Sequence, residues 1–202
     1  MGLQALESKD PRLAQKYFEG ALRQAKLLGN IAPEYAATLN NLASAYQQSG
    51  DFRKAQQSYE DALAAFKESS GFDHPAVAMV WENLGGLFVE KGDLDNAAYA
   101  YKQALMVLEA AREPDKKKIA TNLHNLAKTY RQQGEYTLAE PLYKRALKTR
   151  VYALGTDDPT VISDLDNYSQ ILRAVGKIRE AEAIEKIAAR QRSKQAPGKE
   201  PD

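Results

Sequence analysis

"ATNLHNLAKTYRQQGEYTLAEPLYKRAL", residues 120–147, carries one apolar pattern twice, once on each side of Gly134. Leu123, Leu126, Ala127 and Tyr130 fall at i, i+3, i+4 and i+7, the spacing of one helix face. Leu138, Ala139, Leu142, Tyr143 and Ala146 repeat the arrangement beyond the glycine. Lacking a Cβ, glycine enters the left-handed conformation that ends a helix at little cost. The stretch therefore predicts two helices folded back on each other through a tight turn.

The motif Asn125-Leu126-Ala127 recurs at steps of 42 residues as Asn41-Leu42-Ala43, Asn83-Leu84-Gly85 and Asn167-Tyr168-Ser169. The same step carries Gly50, Gly92, Gly134 and Gly176, then Ala55, Ala97, Ala139 and Ala181, then Tyr59, Tyr101 and Tyr143, then Ala62, Ala104, Ala146 and Ala188. A step of 41 residues back, Ala14, Phe18 and Ala21 fit the second half of the pattern. A repeat of this length is the mark of stacked units, each too small to bury its own apolar faces. The reading is an all-α solenoid over residues 1–193: a partial unit at 1–30, full units at 31–72, 73–114 and 115–156, and a closing unit at 157–193. A closed up-down bundle would need no such periodicity. Residues 194–202 are polar with Pro and Gly and read as a disordered tail.

Boundaries between units follow from helix ends. Gly29 with Pro33, Gly71 with Pro75 and Gly155 with Pro159 set a glycine after one helix and a proline at the start of the next. Asp158 is placed to cap the helix opening at Pro159. At 112–118, "REPDKKK" stands where that glycine would be. Pro141 lies several residues inside a predicted helix and is expected to bend it. In the last unit Glu185 replaces the aromatic, as suits a terminal cap. In the first, the helix from Pro11 to Leu28 lacks a full partner, so Leu13, Tyr17, Phe18 and Leu22 form a candidate self-association face and a route to a homodimer.

The spacing Trp81, Leu84, Gly85, Phe88, Ala97, Tyr101, Ala104 resembles the tetratricopeptide repeat. With "AEPLYKRAL" at 139–147, "FDHPAVA" at 72–78 and "LGTDDPTV" at 154–161, it is similar to the longer variety of kinesin light chains. That variety exceeds the usual repeat of about 34 residues. The resemblance implies a right-handed superhelical solenoid of antiparallel helix pairs, with first helices lining a concave groove, and a scaffold that binds other proteins.

Composition narrows the function. The chain has 28 basic and 27 acidic residues, net +1, without the basic excess of a nucleic-acid or membrane-surface binder. It has no Cys, and its two His, His74 in a turn and His124 on a helix, have no nearby carboxylate pair, so no zinc site is expected. Phosphate-loop, dinucleotide, nucleophile-elbow and zinc-protease motifs are missing. The expectation is a non-enzymatic protein without cofactor or metal. No segment reads as membrane-spanning, which suggests a cytoplasmic location, or a periplasmic or secreted one if a signal peptide has been removed.

Binding is the positive reading. At about 100° per residue, Thr121, Asn125, Lys128 and Gln132 lie opposite the apolar face of their helix, flanked by His124 and Arg131. If this stripe faces the implied groove, Asn41, Asn83, Asn125 and Asn167 form a ladder of amides. Each offers a donor and an acceptor to an extended backbone whatever its side chains. The alternative is that these asparagines bond neighbouring helices. The earlier units add Asn40, Ser44, Gln47, Gln48, Met79, Glu82 and Glu90, neutral to acidic. The later ones add His124, Lys128, Arg131, Gln170 and Arg173, with Asp166 the one acid. The expected partner is a protein or peptide with an extended, partly acidic segment. A structural self-assembly module is the second reading.

Overall fold

Helix starts are set by short polar side chains that accept the N–H groups left over in a first turn. Asp115 Oδ1 accepts from Lys117 N at 3.0 Å and Lys118 N at 3.2 Å. Asp51 accepts from Lys54 N at 3.2 Å and Asp93 from Asn96 N at 3.3 Å. Asp158 accepts from Thr160 N at 2.8 Å, as its place before Pro159 predicts. His74 does the same work through Nδ1, 3.2 Å from Ala76 N.

A computed structural model describes residues 1–8, 10–27, 33–71 and 74–195. Among them are ten helices and no strand: α1 (Gly2–Glu7), α2 (Pro11–Leu27), α3 (Pro33–Gln48), α4 (Phe52–Ser70), α5 (Pro75–Glu90), α6 (Leu94–Ala110), α7 (Lys116–Gln132), α8 (Tyr136–Leu154), α9 (Pro159–Ala174) and α10 (Ile178–Gln195). Gly29 and the stretch 196–202 of the expected tail lie outside the described residues. α10 runs two residues past the expected end of the array. The turns inside the full pairs use glycine in the left-handed region, φ +80° at Gly134 and within a few degrees of that at Gly50 and Gly176.

The helices form two compact units, Met1–Arg112 and Glu113–Asp202. In the first, α1 packs on α2, α3 on α4 and α5 on α6, while α2 meets α3 and α4 meets α5. In the second, α7 packs on α8, α9 on α10, and α8 on α9. Every pair closes over the alanine seam. Ala14, Ala55, Ala97, Ala139 and Ala181 are all fully buried. Tyr59, Tyr101 and Tyr143, four residues after three of these alanines, are buried beside them. In the second unit Tyr143 joins Ala127, Tyr168, Ile171 and Leu172 in one cluster, with Tyr130 and Leu142 packed against it. Fully burying a residue such as Leu172 contributes about 1.5–3 kcal/mol.

Two expectations need correction. Leu138 is 48% exposed and does not share the buried face of α8. It precedes Ala139 by one residue, about 100° around the helix, which takes it off the stripe formed by Ala139, Tyr143 and Ala146. Phe18 does not lie open on α2: α1 covers it, and a Cβ on Gly2 would lie 2.8 Å from the Phe18 ring. α1 is only six residues long, so the cover stops there. Ala21 remains exposed, although its register mates Ala62, Ala104, Ala146 and Ala188 are fully buried. α8 runs unbroken through Pro141, which sits on its exposed side.

Gly85 takes the register place of Ala43 and Ala127, and Tyr101 leans into the space it leaves. A Cβ there would come within 2.6 Å of the Tyr101 ring. Gly85→Ala is therefore expected to destabilise the protein by about 1–3 kcal/mol. Ala43→Gly has no ring to relieve and should lose only the propensity difference, about 1 kcal/mol, together with its buried methyl group. Urea unfolding of both variants measures the contrast.

Candidate functional site

Polar side chains on the first helices are divided between binding the next helix and facing solvent. In the first unit, Asn83 Nδ2 on α5 donates to Asn40 Oδ1 on α3 at 2.9 Å, and Asn40 is buried. Gln47 Nε2 donates to Glu90 Oε1 at 2.8 Å, and the Tyr59 hydroxyl donates to Gln47 Oε1 at 3.0 Å. Burial drives the Tyr59 hydroxyl pKa upward. Tyr101 is pushed up to about 12, first by burial and then by the Glu82 and Glu90 carboxylates. Asn41 is half-buried, Gln48 and Met79 are exposed, and the Asn41 amide makes no hydrogen bond among the described residues.

In the second unit, Arg131 reaches from α7 to α9, where its Nη1 donates to Asn167 Oδ1 at 3.2 Å and Gln170 Oε1 at 3.0 Å. The Asn167 amide also donates to Ser163 O at 2.8 Å. Arg173 holds Glu185 through two bonds of 2.8 Å, and each group's charged form is favoured by the other: the Arg173 pKa rises and the Glu185 pKa falls. Asp166 is paired with Arg192. Lys128 and Gln132 are exposed and Asn125 is half-buried on α7. Among the described residues, Lys128 makes no ion pair and the Asn125 amide no hydrogen bond. The four recurring asparagines thus fall into two kinds. Asn83 and Asn167 join neighbouring helices, whereas the Asn41 and Asn125 amides make no hydrogen bond among the described residues.

His124 has a different setting from its neighbours on the stripe. Its Nδ1 lies 2.7 Å from Asp164 Oδ1, and the other carboxylate oxygen of Asp164 accepts from Arg150 Nε at 2.6 Å. A carboxylate only accepts, so the imidazole hydrogen sits on Nδ1. The Asp164 side chain is 1% exposed and joins α7, α8 and α9 through these bonds. His124 also meets the Tyr143 ring edge-on, with ring centres 5.5 Å apart. Sequence reasoning passed over Arg150 and Asp164, yet the repeat contained the signal. At 42-residue steps Arg150 falls where Phe66 and Leu108 are buried, and Asp164 falls where Val80 and Asn122 are buried. Opposite charges at two core registers of adjacent helices announce a buried pair.

The helix pairs, their alanine seam and their length now meet the comparison with known proteins. The profile of the tetratricopeptide repeat matches residues 1–68, 36–110, 76–150 and 118–192. The chain belongs to the tetratricopeptide repeat family. Such repeats are generally protein-interaction scaffolds. This tetratricopeptide array is similar in fold to BtubC (BKLC) from P. vanneervenii, at 23% identity and a TM-score of 0.85 over 100% of this chain and 81% of that one. It is also similar to a Podosopora anserina putative kinesin light chain with nearly identical TPR-like repeats, at 19% identity and a TM-score of 0.82 over 98% of this chain and 94% of the other. Aspartyl phosphate phosphatase F from Bacillus subtilis shares the fold at 18% identity and a TM-score of 0.77, over 96% of this chain and 49% of the other. No curated protein matches the chain in sequence. Among the described residues no helix is long and apolar enough to cross a membrane, and no group of three or more His, Cys, Asp or Glu could hold a metal ion.

The tetratricopeptide frame makes the buried pair testable. Asp164→Val leaves Arg150 without its carboxylate in a buried position and should cost about 3–5 kcal/mol. Asp164→Val with Arg150→Leu removes both charges and places the apolar types of Val80 and Leu108 at those registers, and is expected to recover most of that loss. Chemical denaturation of the two variants decides it.

Proposed function

We propose that the chain is a non-enzymatic scaffold that holds an extended, partly acidic polypeptide segment against the first helices of its pairs. The observation that carries this reading is the state of α7. Asn125 and Lys128 lie one turn apart with no partner in the described chain, beside an Arg131 already oriented by Asn167 and Gln170. An amide with both donor and acceptor unused can bond a peptide backbone, and the two cations favour a carboxylate nearby. On the first unit, Asn41 and Gln48 repeat the amide part without the cations, so the preference for acidic residues belongs to α7. Arg173 adds little charge, since Glu185 holds it.

Asn125→Ala with Lys128→Glu should weaken binding of short acidic peptides about tenfold, an exposed ion pair and one hydrogen bond together. The thermal midpoint should hardly move, because neither side chain makes a bond among the described residues. Fluorescence anisotropy against labelled acidic peptides measures this; equal affinity for wild type and variant would remove the reading.

A second reading, self-assembly, has its own observation. Leu13 and Tyr17 are each 41% exposed on α2, and with Gly20, Ala21 and Gln24 they line an open cavity of about 460 Å³. In this reading a second copy covers that face. Light scattering should then give a dimer for the wild type and a monomer for Leu13→Gln with Tyr17→Gln. Phe18 is the wrong residue to change for this purpose, since α1 already covers it.

A further inference from the structure

We propose that the first unit has a separate binding site for a small aromatic anion, in the cavity between α2 and α4. The cavity measures about 300 Å³, the lower end of the size range for ligand pockets. α3 forms its floor through Tyr35, Leu39, Leu42 and Tyr46, with Leu22 of α2 and Gln57 of α4 as walls. These floor residues lie on one side of α3, and Asn41 is about 120° around the helix from their centre. The site is therefore independent of the peptide-binding face.

The repeat explains why a space exists here. At a 42-residue step, Leu39 corresponds to Trp81 and Gln57 to Tyr99. In the following pair those two rings pack edge to face with centres 5.8 Å apart. The same register in the first junction holds an isobutyl group and an amide in place of the two rings, and the cavity lies beside them. A ring supplied from outside takes the place of the missing one.

The rim determines the charge of that ligand. Arg23, Lys26 and Lys54 line the cavity where the next junction has Ala64, Lys67 and Asn96. Lys54 is paired with Asp51 at 3.0 Å. Arg23 and Lys26 make no ion pair among the described residues. The single acid of the wall, Asp61, is engaged by Gln57 Nε2 at 3.0 Å. Two adjacent cations without internal partners at the edge of an apolar recess select a flat apolar body bearing a carboxylate or sulfonate.

The test uses the whole protein with naphthalene-2-carboxylate as probe and naphthalene-2-methanol as its neutral counterpart, read by calorimetry and by ring-current shifts of the Leu39 and Leu42 methyl signals. The carboxylate is expected to bind and shift those methyls, and the alcohol to bind at least threefold more weakly. Leu39→Trp with Gln57→Tyr reproduces the filled junction and should abolish binding. Arg23→Glu with Lys26→Glu changes only exposed residues, so its fold is not at risk, and it should weaken the carboxylate at least fivefold while leaving the alcohol unchanged. No methyl shift in the wild type, undiminished binding in the filled variant, or equal carboxylate affinity in the charge-reversed variant would each overturn the proposal. The peptide assay above is unaffected by any of these outcomes.

Discussion

The structure depends on the closeness of two helices over an alanine. Ala55, Ala97, Ala139 and Ala181 are fully buried because a larger side chain would hold the second helix of a pair away from the first. That close approach turns the tyrosine one turn later into the neighbouring space, where Tyr59, Tyr101 and Tyr143 are buried in turn. Since no pair can cover its own apolar faces, the seam generates demand for a neighbour, and the repeat follows from the seam. The glycine turns and aspartate caps are consequences of the same geometry: they stop each helix at the length the seam requires.

Much of this could be read from the sequence. The 42-residue register located the helix pairs, the buried alanines and tyrosines, the left-handed turns at Gly50, Gly134 and Gly176, and the cap at Asp158, because each is a local demand met by one residue type. Leu138 was misplaced because the i, i+3, i+4 rule tolerates a residue about 100° off the face, which tertiary packing does not. Phe18 was misplaced because six residues at the start of the chain were too few to reveal how much of α2 they cover.

The candidate site was less legible, for a physical reason. Periodicity tells which way a side chain points, and Asn41, Asn83, Asn125 and Asn167 were placed on one register by it. What each amide bonds to depends on the residue opposite, on another helix. Asn83 meets Asn40 and Asn167 meets Arg131, while among the described residues nothing corresponding reaches Asn41 or Asn125. The His124, Asp164 and Arg150 network required the same cross-helix view. Its two charges look like ordinary surface residues until the register is applied to helix pairs together, rather than one helix at a time.

This division between stacking and recognition is a general condition for a helical array. An amide turned to the next helix fixes the spacing of the face, but it is lost to a ligand. An amide left over is available but does nothing for the fold. On the proposed reading Arg131 combines both parts: its bonds to Asn167 and Gln170 hold the guanidinium in place across α7 and α9 in the free protein. Ordering a long side chain on binding costs about 0.5–1.5 kcal/mol, and here the fold has already met that cost. A guanidinium has five N–H donors, and the two bonds it makes leave others for a carboxylate. The buried Asp164 pair beneath acts in the same direction, fixing the spacing of the helices on which Asn125, Lys128 and Arg131 are carried. In the proposed binding mode, polar residues inside the stack thus set the rigidity of the face, and those left at its surface set what it can hold.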